Sequence, residues 1–236
     1  MGAATTPGTP ASTPATASAP AATPNAERPI HADYSSPVAA LKTFLTAAQQ
    51  GDFATVRQAM VIPPQRKADI DVFIDAMAAS ARLQKAAQAF FGPSGATQFG
   101  MPSAAQFSRQ LKRVDDSQPK VDGDTATLEV PADPTSGQQS QTVQLQKVGD
   151  AWKVDALAYF RLTENSPESI AERVALTRRI SAIADDVAKN ITAGKYYSSA
   201  IAYQDYWNRS MQATKAPAEN SATTSAPASP AKTTAK

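Results

Sequence analysis

Both ends of this chain are written in an alphabet that cannot build a core. All of the first 24 residues except Met1 are Ala, Thr, Pro, Ser or Gly, and 19 of the last 24, Ala213 to Lys236, belong to the same set. Such segments bury too little apolar surface to offset the entropy of ordering their backbone. Repeated proline also favours extended, solvated conformations. Folding is therefore confined to the middle of the 236 residues. The expected organisation is a tail over 1–33, a compact domain over 34–163, a helical extension over 164–212 and a second tail over 213–236. The central portion is long enough for one domain with its own core.

Periodicity divides that middle into helices and a meander. Ser36-Pro37 is a helix start, with Ser as N-cap and Pro at the first helical position. Val38, Leu41, Leu45 and Ala48 follow at helical spacing, with Phe44 beside them, and Gly51 supplies a stop. Asp52 caps a short second helix carrying Phe53, Val56 and Met60. A long third helix is expected from about Arg66 to Phe91, closed by Gly92-Pro93, then a loop from Ser94 to Gly100 and a fourth helix from Ser103.

The period then changes to two. Asp122-Gly123 and Gly149-Asp150 are tight-turn signals. Ala126, Leu128 and Val130 alternate with polar residues, as do Val143 and Leu145 among glutamines, and Trp152, Val154 and Ala156 in a last strand running to about Phe160. This predicts an antiparallel meander of three strands, four if Pro119 to Val121 pairs across the first turn. Ser166-Pro167-Glu168 opens a further helix with the stripe Leu176, Ile180, Ile183, Val187 and Ile191. Gly194 is placed to break or bend it. Tyr196, Ala200, Tyr203 and Trp207 then recur at i, i+4, i+7 and i+11.

Two stretches carry a resemblance. Ser36 to Met60 reads helix, Gly51-Asp52, short helix. Asp124 to Leu157 reads Thr125-Ala126-Thr127-Leu128, then Val143-Gln144-Leu145, then Gly149-Asp150-Ala151-Trp152-Lys153-Val154-Asp155. This order of elements resembles the nuclear-transport-factor-2-like (SnoaL-like, cystatin-like) α+β superfamily, particularly its bacterial extracytoplasmic members of unassigned role. The resemblance implies N-terminal helices packed on a curved antiparallel sheet that leaves a conical cavity. Phe44, Leu128, Trp152 and Val154 would then be candidates to line the cone, although apolar residues at periodic positions are core first. The helix after Pro167 lies beyond the minimal fold of that superfamily.

Composition excludes several chemistries. The formal net charge is +2, of which the arms contribute −1 and +2, leaving no basic stripe of the kind that neutralises phosphates. No nucleic-acid partner is expected, and Arg178-Arg179 with Asp185-Asp186 reads as a solvated helix face. There are no cysteines, which removes disulfides, thiolate catalysis and Cys-ligated metals. The only histidine, His31, lies in the first arm, so no folded-site His base and no zinc set are expected. Asp69, Asp71 and Asp75 are the densest carboxylates and read as a solvated face rather than a metal site. No cofactor motif is present. No stretch is long and apolar enough to cross a membrane, and the start lacks a signal-peptide pattern.

Three functions remain from different classes. The leading one is a non-enzymatic extracytoplasmic, periplasmic or secreted, binding domain on proline-rich spacers, for a protein partner, a polymer or a small apolar ligand. The second is a small-molecule enzyme, an isomerase or hydratase, using Asp155 or Tyr159, which a continuous strand would place on one face. The third is a structural assembly domain, for example a homodimer. Four of the six tyrosines and one of the two tryptophans fall between Tyr196 and Trp207. That density marks Tyr196, Tyr203 and Trp207 as a candidate partner surface. The plainer expectation is that they fold back over the meander.

Overall fold

The computed structural model describes residues 30–135, 137, 139–163 and 166–215. Of the tails expected over 1–33 and 213–236, residues 1–29 and 216–236 lie outside the described residues, whereas Ile30 packs against the folded core and residues 213–215 continue the last helix. The chain is α+β. Its elements are α1 (Pro37–Gln50), α2 (Phe53–Gln58), β1 (Met60–Val61), α3 (Lys67–Phe91), α4 (Pro93–Gln98), α5 (Ala104–Asp115), β2 (Pro119–Asp122), β3 (Thr125–Val130), β4 (Gln141–Val148), β5 (Ala151–Asp155), α6 (Ala156–Tyr159), α7 (Pro167–Thr192) and α8 (Ser199–Lys215).

The helix signals act as their chemistry demands. The Ser36 hydroxyl accepts from Ala39 N and the Asp52 carboxylate from Thr55 N, which satisfies donors at the starts of α1 and α2. Gly51, at φ 79°, turns the chain between them. Ser103 and Gln106 form a reciprocal capping box at the start of α5.

The sheet has five strands in the order β1-β5-β4-β3-β2. β2 to β5 form an antiparallel meander, and β1 pairs parallel with β5, so the sheet is mixed rather than purely antiparallel. Register puts Ala126 opposite Leu145, Leu128 opposite Val143 and Leu145 opposite Val154, which gathers these side chains on one face. That face packs on α1. The short β1 leaves part of the β5 edge open, and the segment before α1 covers it. Tyr34 O accepts from Trp152 N at 2.9 Å, while Ala59 O accepts from Val154 N at 2.8 Å. The edge is thereby closed to pairing with another chain. The covering segment is pinned in turn by Thr43, whose hydroxyl donates to Asp33 O and accepts from Asp33 N.

Two apolar cores result, bridged by α3. Ile70 and Ile74 of α3 join Leu41, Phe44, Leu128 and Val154 beneath the sheet. Leu83 and Ala87, roughly two and a half to five turns further along α3, join Val187 and Ile191 of α7 and Ala202 of α8. A two-bond ion pair, Arg82 to Asp185 at 2.8 and 3.0 Å, ties α3 to α7 at the surface.

Three expectations are corrected. The segment 94–100 is not a plain loop, because Gly92 stops α3 and Pro93 restarts the chain as α4. Gly95 lets α4 fold tightly back. A Cβ there would lie 2.5 Å from Phe91 Cβ and 3.1 Å from Ala87 O. Gly95→Val should therefore cost about 1–3 kcal/mol by overpacking, and a melting curve superposed on the parent's would contradict this contact. The last strand ends at Asp155, not Phe160, because the Asp155 carboxylate caps α6 by accepting from Ala158 N at 3.0 Å. The extension is two helices rather than one, since Gly194 (φ 69°) ends the first and the chain re-enters helix at Ser199.

Beyond the short α6, Arg161 sits at φ 52°, uncommon for a residue with a Cβ. Its carbonyl and that of Phe160 accept from the Arg173 guanidinium at 2.8 Å each. The same guanidinium lies over the Phe73 ring, 5.5 Å from its centroid. One arginine of α7 thus holds the turn and caps the edge of the first core.

Candidate functional site

A cavity of about 310 Å³ opens between α1, α5 and the end of the sheet. One wall is apolar, from Leu41 and Leu45 of α1, Val114 of α5, Val130 of β3 and Val143 of β4. The other side carries hydrogen-bonding groups, from Gln110 and Arg113 of α5, Gln139, Gln141 and Tyr159. Tyr159 comes from α6, and its ring is wedged against Phe44 (centroids 4.9 Å apart, edge-on) and Phe160 (5.2 Å, edge-on). Burial pushes its phenol above the ordinary tyrosine range, so it stands in the cavity as a neutral hydroxyl. The Arg113 guanidinium is oriented by donating to Pro131 O at 2.7 Å, across the loop that follows β3.

Phe44, Leu128, Trp152 and Val154 are packed in the first core, with Phe44, Leu128 and Val154 fully buried and Trp152 7% exposed. The cavity wall is made by other residues. Two of these were signalled by polar residues in apolar phase. Gln141 lies two before Val143 and four before Leu145, so it faces the same side of the sheet. Gln110 lies four before Val114 on α5.

Asp155 and Tyr159 do not form an acid/base pair. Both carboxylate oxygens of Asp155 are engaged, one by Ala158 N and the other by Gln146 Nε2 at 2.6 Å. The one buried carboxylate among the described residues is Asp133, beside a smaller pocket of about 150 Å³ that shares Gln110 with the cavity. It holds its own loop, accepting from the backbone and hydroxyl of Thr135 at 3.0 and 2.6 Å and pairing with Arg109 at 3.6 Å. Asp69, Asp71 and Asp75 are likewise spent on Arg66, Lys67 and Arg57. The Asp71 carboxyl is held below its ordinary range chiefly by the Lys67 hydrogen bond. A third depression, about 430 Å³ but more open to solvent, runs along α1 beneath Ile30, His31 and Asp33. We centre the site on the first cavity, the less open of the two larger ones, because partial desolvation there strengthens polar contacts.

The aromatic segment divides differently from its sequence spacing. Tyr196 precedes α8 and is out of phase with it. It packs on the second core and donates to Asp205 Oδ2 at 2.7 Å. Burial, and then that hydrogen bond, pushes its phenol up to about 12. The folded chain therefore keeps a proton that the unfolded chain releases near its ordinary value of about 10. Stability should fall as pH rises from about 10 to 12. Tyr196→Phe should lack that part of the fall, and unfolding curves that stay parallel across the window would contradict it. Tyr203 and Trp207, by contrast, face outward, 36% and 52% exposed. α8 packs on α7 and α4 rather than on the meander.

Comparison with protein-family models, with curated proteins and with solved structures found no match to this chain.

Proposed function

We propose that this chain is a non-enzymatic binding domain that holds one small, largely apolar ligand with a hydrogen-bonding end in the cavity between α1, α5 and the sheet. The observation that carries this reading is the division of the cavity: aliphatic side chains on one side, and three amides, a phenol and a guanidinium on the other. Its volume of about 310 Å³ falls at the small end of known ligand sites, roughly 300–1,000 Å³. The polar groups favour an acceptor-rich end, a carbonyl or carboxylate, because Arg113 is donor-only and Tyr159 stays protonated. A catalytic reading would require a base beside Tyr159, and Asp155 is occupied by its cap and by Gln146. Membership of the nuclear-transport-factor-2-like superfamily belongs to the same proposal, supported by the helix-helix-meander order and by a cavity between helices and sheet. An extracytoplasmic setting rests on the Ala/Thr/Pro-rich arms, which suit a spacer that presents the domain.

The test is calorimetric titration of the full chain with octanoate, octanol and octane-sized hydrocarbons. Octanoate should bind more tightly than octanol. Gln141→Leu should weaken octanoate several-fold while leaving the melting temperature close to the parent's, because Gln141 lines the cavity but is itself exposed to solvent. Equal affinity for all probes, or no effect of Gln141→Leu, would contradict the assigned polar end.

A further inference from the structure

The outer face of α8 is an unpartnered aromatic stripe, and the chain carries a segment suited to cover it. Ala200, Tyr203, Trp207 and Met211 recur at three- and four-residue spacing and so share one side of the helix. Tyr203, Trp207 and Met211 are 36%, 52% and 40% exposed. Their rings form a row. Tyr203 stacks on Trp207 with centroids 6.4 Å apart and planes at 23°, and Phe99 meets Tyr203 edge-on at 5.6 Å. The two charged residues in the body of the helix are turned away from this face and spent on α7 and its own side. Arg209 donates to Asp186 at 2.7 Å, and Asp205 accepts from Tyr196. The stripe therefore offers flat apolar area with hydroxyl and indole N–H tips and no charge until Lys215.

We propose that this stripe is the docking site for the chain's own C-terminal proline-rich segment, centred on Pro227-Ala-Ser-Pro230. Three observations select this occupant. The first is chemistry. Aromatic rows of Tyr and Trp bind proline-rich segments in the polyproline II form, whose rings pack on aromatic faces and whose carbonyls, free of internal bonds, accept from the Tyr and Trp donors. Polyproline II rises about 3.1 Å per residue, so prolines three apart are separated by about 9 Å. The row from Phe99, which rests on the second core, through Tyr203 to Trp207, with steps of 5.6 and 6.4 Å, is long enough to offer both proline rings an aromatic face. The second is charge. Residues 220–231 contain no charged side chain, as befits an uncharged stripe. The third is reach. Trp207 lies eight residues before Lys215, about 12 Å along the helix. Pro227 lies 12 residues beyond Lys215, and a flexible chain of that length spans roughly 20 Å. Attachment at the end of α8 gives the segment a local concentration on the order of millimolar, enough to populate a weak contact.

Acrylamide quenching of tryptophan fluorescence in the full chain tests this, because Trp152 is buried and Trp207 dominates the quenchable signal. Pro227→Ala/Pro230→Ala changes neither of the two apolar cores, so it should leave the melting temperature within a few degrees of the parent's. It should also raise the quenching constant about two-fold. A peptide of residues 222–233 added to that variant should restore protection, and a peptide with both prolines replaced should not. Equal quenching of parent and variant with no response to the peptide would overturn the proposal. So would protection that depends on protein concentration in both, which would assign the stripe to a second copy of the chain.

Discussion

Phe44→Ala should cost about 3–5 kcal/mol of folding stability, the range for deleting a large aromatic from a closed core. Phe44 has no solvent exposure and sits in the centre of α1, between Leu41 and the sheet. Its ring meets Tyr159 edge-on at 4.9 Å, so its loss removes the support behind the phenol that reaches the cavity. Two effects are expected together. Urea unfolding should shift to lower midpoint with little change in slope, and octanoate binding should weaken because Tyr159 gains freedom to tilt away. A destabilisation below about 1 kcal/mol would mean the core relaxes around the missing ring, contrary to the close packing inferred for α1.

Trp152→Ala should cost a similar amount, about 3–5 kcal/mol. Trp152 is 7% exposed on β5, where burial alternates residue by residue, and its backbone N–H donates to Tyr34 O in the covering segment. The substitution leaves that backbone bond possible but removes the ring beneath it. Loosening of residues 30–36 is therefore expected to accompany the loss of stability. Hydrogen exchange should accelerate at Trp152 N–H and along that segment before it does in α7. Exchange that accelerates first in α7 would show that Trp152 supports the second core rather than the covering segment. A variant as stable as the parent would place Trp152 on the solvent face and overturn the strand register.

The fold was legible where one local rule decided each element. Ser36-Pro37, Ser103 with Gln106 and Ser166-Pro167 start helices by capping chemistry, and the alternation in 125–130, 141–148 and 151–155 produces strands with the expected inward residues. It was less legible where a side chain's tertiary partner mattered. Asp155 reads as an outward strand residue until its carboxylate is seen to cap Ala158 N. Met60 reads as part of a helix, yet it is a strand because β5 offers a free edge there. Segment 94–100 is rich in small residues and looks like a loop, but it begins with a helical turn in which position 95 must be glycine, because Phe91 leaves no room for a Cβ.

The site was less legible still. The aromatic and aliphatic residues at regular phase fill the core, as large apolar groups do. The cavity is marked instead by residues that break the pattern. Gln141 occupies the inward phase of β4, and Gln110 the buried phase of α5. A polar group in an apolar stripe is costly unless something pairs with it, and that cost is the signal a sequence offers for a cavity.

Leu45→Trp examines the central claim most directly. Leu45 is a half-buried residue of the cavity wall, packed at the margin of the first core, so an indole there fills ligand space while the fully buried core residues stay in place. Calorimetric titration of the parent with octanoate should give saturable binding at one site per chain. Leu45→Trp should abolish it while unfolding at nearly the same temperature. Octanoate binding that is undiminished in Leu45→Trp would place the ligand elsewhere and contradict the account.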